Sequence, residues 1–134
     1  MNKESMTKVS NSSALPRQKI QAFREKLEEI IPEDIQSHLP VIEVWNHPKD
    51  VHTPEEIERF KADNPEFDPD KSFGEEYKGR ILVYQRAFQY NVYQTVLVTL
   101  HEIGHLMAGS GEEDADRWAW ENILISRKRG ESSK

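Results

Sequence analysis

The chain has 134 residues, 31% of them charged, which is enough for one modest hydrophobic core and too little for two. Its 24 acidic against 18 basic residues give a net charge of −6, which argues against nucleic acid or an anionic membrane surface as the main partner. There is no cysteine, so disulfides and thiolate metal sites are excluded and any metal must sit on nitrogen and oxygen. The amino terminus lacks an apolar signal-peptide core, and the longest apolar run, TVLVTL, is too short for a bilayer, so a soluble cytoplasmic protein is expected.

Residues 1–13 are polar and aperiodic and predict a disordered tail. One domain is expected over residues 14–128, with a second disordered tail over 129–134. From Pro16, the residues Ile20, Phe23, Leu27, Ile30 and Ile31 recur at helical spacing, and Pro32 closes that helix. Val41 to Trp45 reads as a short strand entering the turn NHPKD. Thr53 and Glu56 are spaced as a capping box around Pro54, which predicts a helix over 54–62.

The stretch NPEFDPDKSFGEEYKG, rich in Pro, Gly and Asp, predicts a loop across one face. It fails as a calcium loop: counting from Asp68, Phe73 stands where the sharp-turn glycine belongs and Gly79 where the bidentate glutamate belongs. GRILVYQ is the clearest strand. Val92, Val96, Leu97, Leu100, Gly104 and Met107 then mark a largely buried helix from about Asn91 to Ala108, stopped by Gly109. A last helix starts at Ser110 or Gly111, with acids in its first turn and bases in its last. The order of elements predicts an α+β domain with a short sheet.

His101 and His105 are four apart on the buried helix, so both imidazoles project from one face and can share an ion. Glu102 between them completes H-E-x-x-H, in which two neutral nitrogens hold a zinc ion and the carboxylate takes a proton from water. A third histidine six residues after His105 is absent, since position 111 is glycine, so the third ligand must be a carboxylate. Ser110 and Glu113 are spaced as a capping box that would occupy Glu113, leaving Glu112 free for the metal. Asp116, one turn on, could orient a ligand histidine. Glu113 and Asp116 stay open as alternatives to Glu112. Tyr84, Tyr90 and Tyr93 are candidates to stabilise a tetrahedral intermediate. His38, His47 and His52 read as solvated loop residues.

HEIGHLMAG followed by EEDADRWAWENIL resembles the ImmA/IrrE-type metallopeptidases, small gluzincins whose second motif runs Glu-x-x-Ala-Asn/Asp-x-aromatic-Ala; Glu112, Ala115, Asp116, Trp118 and Ala119 stand at those positions. The resemblance spans roughly residues 79–124. It implies a minimal zincin-like domain with one zinc on His101, His105 and Glu112, and Glu102 as general base. It also implies a specific intracellular protein substrate, such as a transcriptional regulator. The expected activity is metallo-endopeptidase, with an extended peptide pairing along the edge of the GRILVY strand. The alternative is a catalytically silent or latent module of the same fold, an anti-repressor or inhibitor that docks a protein partner.

Overall fold

The computed structural model describes residues 7–89, 91–109 and 111–124. The apolar stripe after Pro16 forms helix α1 (Arg17–Ile30), which buries Ile20, Phe23, Leu27 and Ile30 as the spacing requires. A short turn of helix, α2 (Glu33–Gln36), leads into strand β2 (Ile42–Trp45). Helix α3 (Pro54–Asp63) starts on the expected box: the Thr53 hydroxyl accepts from the Glu56 amide at 3.1 Å, and the Glu56 carboxylate accepts from the Thr53 amide at 2.9 Å. Strand β4 (Arg80–Tyr84), helix α4 (Val92–Ala108) and helix α5 (Glu112–Ala119) complete the expected elements, and a single wide turn, Trp120–Leu124, follows α5. The chain is therefore mixed α+β, with five α-helices and one four-stranded sheet among the described residues.

Two strands lie where none was expected. Strand β1 (Val9–Asn11) falls in the supposed tail, where three residues are too few to show a period. It is held from outside: Val9, Ser10 and Asn11 run parallel to Ile42, Glu43 and Val44, and the buried Thr7 hydroxyl donates to Gln36 Oε1 at 2.7 Å. Residues 1–6 and 125–134, and with them the supposed C-terminal tail, lie outside the described residues. Strand β3 (Gly74–Tyr77) falls in the supposed loop and pairs antiparallel with β4. Lys78 and Gly79 join the two strands, both at positive φ (51° and 82°), as a two-residue hairpin turn requires.

The sheet order is β1-β2-β4-β3, with β1, β2 and β4 parallel. This order corrects the expectation for the GRILVY strand, which as β4 is flanked by β2 on one side and β3 on the other and has no free edge. Ile42, Val44, Ile81 and Val83 meet α1 and α4 in one core with Phe23, Leu27, Val96, Leu100 and Ile103. The free edge beside α4 belongs to β3. Among the described residues no helix is long and apolar enough to cross a membrane.

Candidate metal centre

Helix α4 is capped where its sequence suggests. The Asn91 side chain accepts from the Gln94 amide at 2.9 Å, and Gly109 (φ 104°) ends the helix, its amide donating to the His105 carbonyl at 3.0 Å. His101 and His105 share one face with ring centroids 4.6 Å apart. Gly104 lies between them and decides what can cover that face: a Cβ there would stand 2.3 Å from the Ala115 carbonyl oxygen. Only glycine lets α5 approach so closely, and that approach carries Glu112, at the first position of α5, to the histidines.

The convergence is tight. Glu112 Oε2 lies 2.7 Å from His101 Nε2, Glu112 Oε1 lies 3.2 Å from His105 Nε2, and the two Nε2 atoms are 3.0 Å apart. His101 Nδ1 faces Asp116 Oδ1 at 2.6 Å, and His105 Nδ1 faces the Gly109 carbonyl at 3.0 Å. A carboxylate and a carbonyl only accept, so each Nδ1 must carry the hydrogen, and each neutral ring then presents a bare lone pair at Nε2. Two lone pairs and a carboxylate thus point at one another, an arrangement that needs protons or a cation between them. Ligands about 2.0–2.1 Å from a tetrahedral zinc lie roughly 3.3 Å apart, close to the separations here. His101, His105 and Glu112 could hold a metal ion.

Burial works against a charged His101, yet the Asp116 hydrogen bond and the charges of Glu102, Glu112 and Asp116 outweigh it and raise its pKa. Glu102 projects beside this group without joining it. It is 8% exposed, and burial pushes its carboxyl up to about 7, only partly opposed by His101 and His105. A carboxyl with that environment can both take and return a proton near neutral pH.

Two recesses meet at Glu102, of about 480 Å³ and 440 Å³, and share Ser72, Gly74, His101 and Glu102 in their walls. Gly74, on edge strand β3, lies against the helix: a Cβ there would be 2.8 Å from the Leu82 carbonyl oxygen and 3.6 Å from Glu102 Cγ. The strand therefore passes close to Glu102 without covering it.

Of the residues singled out from sequence, His101, His105 and Glu112 come together and Asp116 holds His101 from behind. Asp116 is thus not in the ligand group. Glu113 is exposed and also outside it. The capping box expected for Glu113 is not in register: α5 is capped by Gly111, so the third helical position is Asp114 and Glu113 falls at the second. Ser110 and Tyr90 lie outside the described residues. Tyr84 is buried, and its hydroxyl donates to Glu75 Oε1 at 2.7 Å, so it is committed elsewhere. Tyr93 is exposed in the first turn of α4, eight residues or about 12 Å of helix before His101.

His38 is exposed and His47 is half-buried, its Nε2 2.7 Å from Asp70 Oδ1. His52 is buried rather than solvated, with Nε2 against the Glu75 carboxylate and its ring edge-on to Phe60 and Tyr77. Sequence reasoning missed Gly74, Glu75 and Glu76 because it missed β3. The available signal was weak: Lys78-Gly79 between FGEEY and RILVY has the length of a hairpin turn without its preferred first residue.

No protein-family model, no curated protein and no solved structure matches this chain.

Proposed function

We propose that this chain is a zinc-dependent metallo-endopeptidase of zincin-like fold, akin to the ImmA/IrrE-type metallopeptidases, acting on a peptide bond of a specific intracellular protein such as a transcriptional regulator. The observation that carries this reading is the meeting of two Nε2 lone pairs with the Glu112 carboxylate, while Glu102, buried and held near neutral pKa, stands beside the group as a proton acceptor. The donor set of two imidazoles and one carboxylate is that of a catalytic zinc site with a coordination position left open.

His101, His105 and Glu112 would hold the ion, with Asp116 and the Gly109 carbonyl fixing both ring tautomers. Zinc there supplies a Lewis acid that makes water acidic enough to attack at neutral pH and polarises a carbonyl. Glu102 accepts the proton of the attacking water and passes it to the leaving amine, which its raised pKa suits. The free edge of β3 offers an extended substrate backbone hydrogen bonds next to Glu102.

Elemental analysis of the purified protein, supplied with zinc and then dialysed, tests the reading together with cleavage of a peptide library. One zinc per chain is expected in wild type and Glu102→Gln, none in Glu112→Ala, and cutting by wild type alone. Absence of zinc from wild type sinks the reading. Zinc retained with no cutting of any peptide leaves the silent docking module.

A further inference from the structure

The two recesses that meet at Glu102 differ in character, and the difference lies in side chains outside the metal group. The 480 Å³ recess, on the side of the first turns of α4, is walled by Phe73, Leu97 and Val98. Leu97 is 38% exposed, a large apolar side chain turned to solvent beside a polar site. The 440 Å³ recess runs along β3 past Glu75 and Glu76, with no lysine or arginine in its wall among the described residues. Glu75 turns to the other face of the sheet, where it accepts from Tyr84 and faces His52, whereas Glu76 lies on the face of α4 and its Oε2 accepts from the Gly79 amide at 2.8 Å, which holds it in place.

Resting on the peptidase reading, we propose that the groove selects peptides with a basic residue two positions before an apolar one, the spacing that puts both side chains on one face of an extended strand. The basic side chain lies against Glu76, and the apolar one enters the recess of Phe73, Leu97 and Val98. The order comes from the sheet. Antiparallel pairing is the more stable per residue, and a peptide antiparallel to β3 runs from the Glu76 end towards the Ser72 and Phe73 end. Its earlier residue then meets Glu76 and its later one the apolar wall. Charge complementarity supplies the discrimination: a lysine or arginine is attracted by the fixed Glu76 carboxylate, and an aspartate or glutamate is repelled by it. Gly74 keeps the passage between the halves open.

Binding to the zinc-supplied Glu102→Gln protein separates this selection from catalysis. Three fluorescent peptides of identical alanine flanks, carrying Lys-Ala-Leu, Glu-Ala-Leu or Leu-Ala-Lys at the centre, are titrated and followed by anisotropy. Lys-Ala-Leu is expected to bind about tenfold more tightly than either of the others. Adding Glu76→Lys is expected to reverse the order of Lys-Ala-Leu and Glu-Ala-Leu, and adding Leu97→Asp to weaken Lys-Ala-Leu while leaving zinc content unchanged. Equal binding of the three peptides, no binding of any, a preference for Leu-Ala-Lys, or an order unmoved by Glu76→Lys overturns the proposal. Wild type that cuts peptides without this preference sinks the selection and leaves the peptidase reading. A preference without cutting does the reverse.

Discussion

Two clusters of histidine and carboxylate flank strand β3, and they are built on opposite rules. In the first, His52 and Tyr84 both turn hydrogens towards Glu75, so donors meet an acceptor and the group closes on itself under Phe60 and Tyr77. Only His52 Nδ1 is left buried without a partner. In the second, every hydrogen of His101 and His105 is directed backwards, to Asp116 and to the Gly109 carbonyl, and three acceptors are left facing one another. The same residue types thus make a cross-brace in one place and, in the other, a group that could hold a metal ion. The direction of each N–H tells them apart, and the count of histidines does not.

The comparison breaks most readily at its extremes. His105→Ala should abolish zinc binding and with it the stabilisation that zinc confers, about 4 kcal/mol at a thousandfold excess over Kd, while changing the metal-free melting temperature little. Glu75→Ala should behave oppositely. It strands the buried Nε2–H of His52 and the Tyr84 hydroxyl and should cost roughly 3 kcal/mol by urea unfolding, with one zinc per chain retained. Loss of zinc from Glu75→Ala under folding conditions would show the two clusters to be one unit.

Gly104→Ala sharpens the comparison from the backbone. Its new methyl meets the Ala115 carbonyl, so about 1–3 kcal/mol of overpacking is expected together with weaker zinc binding, as α5 and Glu112 are pushed back; calorimetric titration reads both. Asp116→Asn leaves the fold in place and loosens only His101, for an expected 10–100-fold loss of zinc affinity.

The smallest effect is expected from an acid and base pair outside both clusters. Arg80 donates to both oxygens of Glu43, at 2.9 and 2.6 Å, and that hydrogen bonding holds the Glu43 carboxyl below its usual value despite some burial. A lowered carboxyl pKa stabilises the fold above the unfolded value near 4.5, and the contribution disappears as pH falls through the folded value. Because Arg80 is substantially exposed, solvent keeps this contribution below about 1 kcal/mol. Arg80→Met should therefore flatten the fall of stability between neutral pH and pH 3 slightly, in denaturant titrations repeated across that range.

Much of this was legible before the fold. The stripe Ile20, Phe23, Leu27, Ile30 and the box Thr53 to Glu56 are patterns within one helix, where the spacing of neighbours alone settles which side is buried and how the end is capped. The pair His101 and His105 is legible for the same reason, since four residues on a helix place both rings on one face. Local patterns thus determined α1, α3, α4 and α5, strands β2 and β4 and two of the three metal-competent side chains, while the four-residue α2 is too short to carry a period.

Features that depend on long-range contact were decided only in three dimensions. β1 and β3 are too short to carry a period and exist because β2 and β4 offer them hydrogen-bond partners, which moved the free edge from GRILVY to GEEY. Glu112 reaches the histidines because Gly104 admits α5, and Asp116 is set behind His101 by the same approach. His52 is buried because Glu75, twenty-three residues away, accepts its hydrogen. A partner that distant in sequence leaves no trace in local spacing, so burial and N–H direction at each histidine had to wait for the folded chain.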